Sequence, residues 1–288
     1  MQGSEGIMAK IKIVTDSTVD LSRELIEEFD IEVVPLSIHI EGNTYLDRVN
    51  ITPAEFMKKM KESDELPKSS QPPAGVFAEV YDRFGDQGYE ILSIHMTGGM
   101  SGTVQSAESA AAMSRANVTV VDSRYISKAL AFQVIEAAKM AREGKAIQEI
   151  VSRLETVRAN TKLFVVVDTL ENLVKGGRIG KGKAMIGSLL NIKPIASLEG
   201  GVYTPVAKVR SHTQVAKYLA KQFAGDIKGK TIKGAGLVHA EGIELASKLK
   251  KMIEELDADA KVEIEETTPI ISTHTGPGAI GFMYYLED

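Results

Sequence analysis

The stretch "KIKIVTDST", residues 10–18, is a short apolar segment that ends in polar residues, as a buried strand followed by a turn does. The next stretch, "DLSRELIEEF" at 20–29, repeats apolar residues at helical spacing. The same alternation continues with strands predicted at 32–40, 89–96 and 117–123, and helices at 50–60, 69–84, 101–114, 126–143 and 146–160. Alternating strands and helices predict a mainly parallel sheet with right-handed connections.

Two of the predicted helices carry start signals. In "NITPAEFMKKM", Thr52 is the expected N-cap, Pro53 occupies the first helical position and Glu55 completes a capping box. In "SSQPPAGVFAEVYDRF" the two prolines again mark the start, which predicts that Ser69 and Ser70 lie at a helix N-terminus.

The pattern changes after about residue 160. Strands are predicted at 162–168, at 193–206 as a hairpin around Glu199-Gly200-Gly201, at 234–240 and at 261–270, with helices near 211–224 and 241–256. The predicted fold class is therefore α/β with two domains: a parallel-sheet α/β/α layer at 8–160 and a mixed-sheet α/β domain at 161–288. Residues 1–7 are interpreted as an expression remnant, with Met8 as the natural start.

Composition excludes several classes of protein. The 288 residues include 34 basic and 39 acidic side chains, a formal charge of −5, so no basic stripe for a nucleic-acid partner is expected. Cysteine is absent, which rules out disulfides and thiolate nucleophiles. No run of about 18 apolar residues exists and the start lacks the apolar core of a signal peptide. These features predict a cytoplasmic protein without stable membrane insertion.

Polar residues follow the predicted parallel strands, where ligands of open α/β sheets bind. They are Thr15-Asp16-Ser17 after the first strand, the run 97–103 after the third and Asp122-Ser123 after the fourth. The run 97–103 opens a helix, whose free N–H groups favour anions, and Gly98 and Gly99 leave room for a close backbone approach. Taken singly, each Ser or Thr is explained as a helix cap; together with the glycines they indicate a site.

The stretch "ISTHTGPGAIG", residues 271–281, is rich in hydrogen-bond donors and has no acidic residue. Its Gly-Pro-Gly turn chemistry predicts a loop that displays Ser272, Thr273, His274 and Thr275. Hydroxyls, an imidazole and bare N–H groups are suited to holding an oxyanion.

Nucleotide and metal sites are not indicated. "GRIGKGKA" at 177–184 lacks the hydroxyl residue of a phosphate loop at Ala184 and follows a predicted helix, and no G-x-G-x-x-G follows the first strand. The five histidines are not spaced as metal ligands. His39, His95 and His239 lie in apolar strands and are interpreted as hydrogen-bonded structural residues.

An enzyme remains an alternative. No G-x-S-x-G nucleophile turn occurs, but Thr97 or Ser69 is able to pair with His274 as a general base. The alternative function is a hydrolase or transferase that acts on a small acid or acyl ester.

Seven motifs, in this order and spacing, resemble the DegV family, which includes the fatty-acid-binding subunits of bacterial fatty acid kinase. They are "VTDST" at 14, "SSQPP" at 69, "TGGMSGTVQSA" at 97, "VDS" at 121, "KGGRIG" at 175, "VAKVR" at 206 and "HTGPGAIG" at 274. The resemblance covers about residues 10–286.

The resemblance implies a lipid carrier rather than an enzyme. A long-chain fatty acid would lie in a tunnel between two α/β domains, with its carboxylate held by Ser69, Thr97, the Gly98 N–H and His274. A separate ATP-dependent kinase would convert the presented carboxylate to acyl phosphate, and no cofactor is implied beyond the bound fatty acid. Arg178 and Arg210 would contribute to the kinase interface or the mouth of the site.

The chain departs from the family pattern at two points. Thr97-Gly98-Gly99 stands where a serine pair and a glycine are common, and Ser69 stands where threonine is common. Both changes keep a hydroxyl, while Gly98 loses a side-chain donor.

Physical chemistry assigns different roles to the two ends of such a ligand. A buried carboxylate requires hydrogen bonds. A tail of about fourteen methylenes, at roughly 0.8 kcal/mol each, contributes on the order of 11 kcal/mol before the costs of association. Lining residues are expected in "MIGSLLNIKPI", 185–195, and in the strands of the second domain.

Overall fold

A computed structural model describes residues 10–187 and 192–288 of the chain. The proposed remnant at 1–7 lies outside the described residues. The strands are β1 (Lys10–Asp16), β2 (Glu32–Val34), β3 (Ser37–Ile40), β4 (Asn43–Leu46), β5 (Lys68–Ser70), β6 (Tyr89–His95), β7 (Val118–Asp122), β8 (Thr161–Val166), β9 (Lys193–Ser197), β10 (Thr204–Val209), β11 (Thr231–Ala240), β12 (Glu263–Glu266) and β13 (Ala279–Glu287). The helices are α1 (Arg23–Glu28), α2 (Pro53–Glu62), α3 (Ala74–Gly85), α4 (Thr103–Met113), α5 (Ser127–Arg142), α6 (Ile147–Ala159), α7 (Glu171–Lys175), α8 (His212–Asp226), α9 (Ile243–Leu256) and α10 (Pro269–Thr275).

A four-stranded parallel sheet in the order β2-β1-β6-β7 forms the first half, which confirms the strand–helix interpretation. Helices α3 and α4 cover one face, where Ala107 and Ala110 allow close packing on Val14 and Ile91. Helix α5 covers the other face, against Ile13 and Leu92. The result is the predicted three-layer α/β/α arrangement.

The predicted strand 32–40 is two strands in two sheets. Strand β2 joins the parallel sheet, while β3 pairs antiparallel with β4 and β5 in a separate three-stranded sheet. Pro35, which lacks a donor N–H, lies at the break between them. The prediction that Ser69 and Ser70 start a helix is also wrong, because both belong to β5 and α3 begins only at Ala74.

The second half is a six-stranded mixed sheet in the order β10-β9-β8-β13-β11-β12. Helices α8 and α9 pack on one face around the aromatic cluster of Phe223, Phe282 and Tyr284. Helix α5 packs on the other face through Ala129, close to Val238 and Met283. Because α5 contacts both sheets, the two halves share one helix layer. The domain boundary at residue 160 stays a prediction.

Two elements near the C-terminus differ from expectation. Strand β13, which lies in the middle of the mixed sheet between β8 and β11, was not predicted from its nearly continuous apolar sequence. The stretch 271–281 is not a loop throughout, because α10 extends to Thr275 and the turn begins at Gly276. Thr268 caps α10 and Pro269 occupies its first turn.

Candidate ligand-binding site

A narrow apolar cavity lies between the carboxyl edge of the parallel sheet and the mixed sheet, and encloses about 60 Å³. It is lined by residues of both halves: Thr18, Leu36, Ser69, Gln71, Met96, Met100, Ser101, Ile126, Val165, Leu173, Arg178, Leu198, Tyr203, Ile270, Ile271, His274 and Thr275. Of the strand-end rim predicted from the sequence, only Met100 and Ser101 line this cavity; residues 15–17 and 122–123 do not.

A second cavity of about 30 Å³ adjoins the first. Four residues line both cavities: Ile126, Val165, Ile271 and Thr275. Beyond them the second cavity runs along the mixed sheet to Val238 and Met283 and is almost wholly apolar. The two cavities together form an elongated path. Ser69, Arg178 and His274 line its first part, and Ser127, His239 and Thr267 are the polar residues that line only the otherwise apolar second part.

Ser69 and His274 meet at that polar end. The Oγ atom of Ser69 lies 2.7 Å from Nε2 of His274, although 205 residues separate them in the chain. Pairing of β5 with β3 places Ser69 opposite Ile38, and α10 packs against both of these strands. The two predicted donors are therefore brought together by the small antiparallel sheet and by α10.

The His274 imidazole is neutral at physiological pH. Burial, together with the positive charge of Arg178, lowers its pKa to about 4. Its Nδ1 atom is buried and has no hydrogen-bond partner within the described chain. The ring also packs against Gly176, where any Cβ atom would overlap Nδ1, so the backbone of Gly176 fixes its position.

Arg178 is half-buried on the same cavity wall. Its Nε donates to the Met100 carbonyl at 3.0 Å and its Nη1 to the Gly176 carbonyl at 2.6 Å. Within 10–187 and 192–288 no carboxylate lies at ion-pair distance from the Arg178 guanidinium. Burial lowers the pKa of this group. We call Ser69, Arg178 and His274 the head-group cluster.

The other two predicted donors, Thr97 and Gly98, do not line either cavity. The Thr97 hydroxyl donates to the Gly201 carbonyl at 2.7 Å and accepts from the Gly99 N–H at 3.1 Å. The Gly98 N–H donates to Asp122 Oδ2 at 3.2 Å. Residues 97–99, here called the Thr97 loop, therefore bind the β9–β10 hairpin and the end of β7. Gly99 allows the close approach, because a Cβ there would overlap the Gly201 carbonyl.

The hydroxyls of the stretch 271–281 are not displayed to the cavity as a set. Thr273 Oγ1 donates to the Pro269 carbonyl and Thr275 Oγ1 to the Ile271 carbonyl, each four residues earlier in α10. The prediction of a multi-donor loop is therefore wrong, since helix formation uses these hydroxyls locally. His274 is the member of the run that reaches the head-group cluster.

Arg178 and Arg210, predicted at the kinase interface or the mouth of the site, have different surroundings. Arg178 is on the cavity wall, whereas Arg210 is exposed at the end of β10, where its backbone N–H donates to Gln214 Oε1 at 2.8 Å.

The segment 185–195 does not supply lining residues within its described part: Met185 packs in the core, Ile186 is exposed and Ile195 packs in the core beneath α8. Residues 188–191 lie outside the described residues. The predicted contribution of the second-domain strands is confirmed by Val165 in β8.

Tyr203 and Gln71 line the cavity and were not singled out from the sequence. The Tyr203 hydroxyl is buried without a hydrogen-bond partner in the described chain, and burial raises the pKa of this phenol. The Gln71 amide donates to Ser106 Oγ at 3.0 Å. Gln71 belongs to the quoted run "SSQPP", so its proximity to Ser69 was the available signal; nothing in the sequence marked Tyr203.

A Ser–His–Asp set is also present, away from the cavity, and is inaccessible. His95 Nδ1 lies 3.1 Å from Asp16 Oδ2 and its Nε2 lies 2.6 Å from Ser93 Oγ. All three side chains are fully buried, and Ser93 is also bonded to the Tyr81 hydroxyl. These residues stabilise the parallel sheet, as expected for His95. No cluster of three or more potential metal ligands occurs among the residues that the structure describes.

The comparisons with known proteins are consistent with each other. The sequence model described as "Uncharacterised protein, DegV family" matches residues 10–287. A DegV domain-containing protein of Listeria monocytogenes is 44% identical over 281 residues, which cover 97% of this chain and 100% of the relative. Across the described residues, no helix has the length and apolar character needed to cross a membrane.

Two solved structures resemble the fold closely. One is a DegV family protein from Thermus thermophilus described by its fatty acid binding, with a TM-score of 0.89, 34% identity and coverage of 96% of this chain and 99% of that one. The other is DegV from Bacillus subtilis, a fatty acid binding protein, with a TM-score of 0.89, 30% identity and coverage of 97% and 100%. By the extent of the sequence match and by fold, this chain belongs to the DegV family.

Proposed function

We propose that the protein binds a long-chain fatty acid, with the carboxylate at the head-group cluster and the tail in the two adjoining cavities. One observation carries the proposal: Arg178 is a half-buried cation without a carboxylate partner in the described chain, on the wall of an apolar cavity. A desolvated cation of this kind favours an anionic ligand. The descriptions of the two similar structures as fatty acid binding support the same ligand class.

The head-group chemistry follows from the neutral His274. If Nε2 carries the proton, it donates to Ser69 Oγ, and the Ser69 hydroxyl proton is free to bond a carboxylate oxygen. Arg178 supplies the positive charge, and the unpaired Tyr203 hydroxyl is a further donor on the same wall. A carboxylate held in this way stays ionised without a metal or a cofactor.

The tail supplies most of the affinity. The cavities enclose about 60 and 30 Å³, whereas ligand pockets commonly measure about 300–1,000 Å³, so binding requires the lining side chains to move apart. Met96, Met100 and Met283 are flexible side chains suited to that adjustment. A tunnel between the two sheets would thus open around its ligand.

Binding of the carboxylate by Thr97 and Gly98 would require their present hydrogen bonds to be broken. Their polar groups would have to exchange bonds to Gly201 and Asp122 for bonds to the carboxylate. Asp122 would also repel the ligand's charge. The Thr97 loop is therefore the weaker part of the proposed site.

We further propose that the protein acts as a carrier, which presents the carboxylate to an ATP-dependent fatty acid kinase. This step is supported by the family resemblance. Arg210 is exposed and its side chain is available to a partner.

The test is native mass spectrometry of the purified protein before and after addition of oleate. We expect an acyl mass to copurify or to be taken up in a one-to-one complex, and less uptake by Arg178→Met than by wild type. Arg115→Met is the matched control, because Arg115 is exposed and pairs with Asp86 far from the cavity lining. A protein that neither carries nor takes up any fatty acid contradicts the proposal.

The 2.7 Å bond between Ser69 and His274 also has the geometry of a nucleophile and its base, which keeps a hydrolase or transferase as the second candidate. His274 lacks the third, orienting group of such sites, since its Nδ1 is unpartnered in the described chain. Esterase turnover and lipid retention measured separately on His274→Ala distinguish the two functions: loss of a measurable turnover favours the enzyme, and loss of lipid alone favours the carrier.

A further inference from the structure

An open cleft of about 530 Å³ lies between the two halves of the molecule, lined by α6 from the first half and by β8, the β9–β10 hairpin and α8 from the second. This volume is within the range of about 300–1,000 Å³ that is common for small-molecule sites. Leu198 is the one residue that the cleft shares with the first apolar cavity, and Leu163 the one that it shares with the second. Both side chains are buried, so the cleft is separate from the proposed path of the fatty acid.

Three cationic side chains line this cleft: Arg124, Arg158 and Lys162. None of them forms an ion pair within 10–187 and 192–288. Arg158 Nη1 donates to the Asp122 carbonyl at 3.2 Å, and the Arg124 and Lys162 side chains are exposed and make no hydrogen bond to a described residue. Cations that the fold leaves unpaired favour an anionic ligand, and the planar guanidinium fork matches the oxygens of a phosphate group.

The turn that carries Arg124 has an uncommon backbone conformation. Arg124 has a φ of 58°, in the left-handed region that few residues other than glycine adopt. Its N–H donates to Asp122 Oδ1 at 2.8 Å, while Arg158 binds the carbonyl of the same aspartate. Backbone conformations of this kind persist where the surrounding structure fixes them, and they concentrate at functional sites. Asp122 therefore holds both arginines to one turn at the cleft.

The other charged and aromatic side chains of the cleft narrow the class of ligand. Glu155 and Glu199 are exposed, form no ion pair with a described residue and are outnumbered by the three cations. Tyr218 of α8 packs against the core of the second half, and no other aromatic ring contacts it in the part of the chain that the structure describes. Val206 lines the same cleft and is 42% exposed. A phosphate group attached to a planar ring fits this combination of cations and apolar surface.

We propose that the cleft binds a phosphorylated small molecule of nucleotide size, with its phosphate group on Arg124, Arg158 and Lys162 and its ring against Tyr218. Arg124 and Arg158 belong to the first half of the molecule, whereas Lys162 and Tyr218 belong to the second, so the ligand bridges the two halves. This site is independent of the proposed function, because none of its cations lines either apolar cavity.

The experiment is calorimetric titration of the full chain at low salt with adenosine 5′-monophosphate, adenosine and inorganic phosphate as probes. We expect the nucleotide to bind in a one-to-one complex, and adenosine to bind more weakly by about tenfold or more, as for the loss of a charged hydrogen bond. Arg124→Met and Lys162→Met should each weaken nucleotide binding by about tenfold. Both variants should fold, because neither side chain makes a hydrogen bond or ion pair in the described chain.

Two further variants serve as controls. Arg115→Met removes an exposed arginine that does not line the cleft, and should bind the nucleotide as wild type does. Glu199→Gln removes a negative charge from the cleft, and should tighten nucleotide binding by about threefold, as expected for an exposed charge pair. Uptake of oleate should be the same in all of these variants, which separates this test from the test of fatty acid binding.

Several outcomes would overturn the proposal. The cleft is not a phosphate site if neither the nucleotide nor inorganic phosphate binds at millimolar concentration, or if adenosine binds as tightly as its monophosphate. Equal nucleotide affinity of wild type, Arg124→Met and Lys162→Met would place the bound nucleotide elsewhere on the molecule. Binding to phosphatidylglycerol vesicles without binding of the nucleotide would assign the three cations to a lipid head group, and would exclude the small molecule.

Discussion

The head-group cluster and the Thr97 loop both lie near the carboxyl edge of the parallel sheet, yet their polar groups are used differently. In the Thr97 loop, the hydroxyl and N–H groups are bonded to Gly201 and Asp122. In the head-group cluster, Arg178 has no counter-ion and His274 has an unpaired nitrogen in the described chain. Polar groups therefore form structural hydrogen bonds in the Thr97 loop, whereas in the head-group cluster a charge and a ring nitrogen are left without partners among the described residues.

A candidate ligand site is therefore marked by polar or charged groups that the fold leaves without a partner. Buried polar groups in native proteins are nearly all paired, so the exceptions require an explanation. The proposed fatty acid would account for the uncompensated charge of Arg178, whereas the polar groups of Thr97 are already paired.

Replacement of Arg178 by Met removes the positive charge and keeps an apolar side chain of similar length. We expect fatty acid affinity to fall by about 2 kcal/mol, roughly 30-fold, the worth of a charged hydrogen bond. Removal of the desolvated charge opposes the loss of its hydrogen bonds to the Met100 and Gly176 carbonyls, so we expect the melting temperature to change little. Calorimetric titration measures the affinity, and thermal unfolding measures the melting temperature. An unchanged affinity would show that the carboxylate does not bind at the head-group cluster.

Replacement of Gly176 by Ala tests the position of His274 without changing a polar group. The new methyl would overlap Nδ1 of His274 and displace the ring from Ser69. Overpacking of this kind costs about 1–3 kcal/mol, and we expect a roughly tenfold loss of affinity. Gly75→Ala is the matched control, since nothing lies within 4 Å of a Cβ built there.

A double-variant cycle shows whether the effect passes through His274. In a His274→Ala background the imidazole is absent, so Gly176→Ala should lose most of its effect on affinity. An equal loss in both backgrounds would mean that Gly176 acts through the backbone near Asn172 instead.

Ser69→Ala and Thr97→Ala compare the two regions directly. Ser69→Ala removes a hydroxyl from the cavity, and we expect a loss of affinity of about 1 kcal/mol, near fivefold, with little change in melting temperature. Thr97→Ala leaves the Gly201 carbonyl and the Gly99 N–H unpaired, so we expect a lower melting temperature by several degrees and a smaller loss of affinity. Equal losses of affinity would restore Thr97 to the site as the sequence predicts.

Local sequence signals were sufficient for much of the fold. The capping box at Thr52 and Glu55 forms as predicted, because it depends only on residues three apart. The hairpin around Glu199-Gly200-Gly201 likewise joins β9 to β10. The strand–helix alternation predicted the parallel sheet for the same reason, because the periodicity of each element depends only on residues a few positions apart.

The pairing of strands that are distant in the chain could not be predicted from these local sequence signals. Ser69 belongs to β5 because Ile38 provides its partner strand, and no local pattern in "SSQPP" records that pairing. The apolar run of β13 fits a buried strand or a buried helix equally well until its neighbours β8 and β11 are known.

The same limit applies to the candidate site. Mainly through the family resemblance, the sequence predicted Ser69, Thr97, Gly98 and His274 as the carboxylate site, and the two arginines at the kinase interface or the mouth of the site. Whether a hydroxyl is free or already bonded depends on a partner about 100 residues away, as for Thr97 and Gly201. The contact of Ser69 with His274 spans 205 residues and also arises only in the folded chain.

Arg210→Ala is expected to have the smallest effect on fatty acid affinity, because Arg210 does not line the cavity. The Arg210 side chain is exposed, and its backbone N–H keeps its bond to Gln214 in the variant, so fatty acid affinity should not change. If Arg210 contacts the kinase, formation of acyl phosphate should slow by about fivefold at limiting carrier, with a weaker dependence on salt, as for a charge at the rim of an interface. Lys208→Ala, an exposed cation on the same strand, is the control for a general loss of positive charge. Equal rates for Arg210→Ala and wild type would exclude Arg210 from docking, whereas weaker fatty acid binding would show that the ligand site extends beyond the cavity to the end of β10.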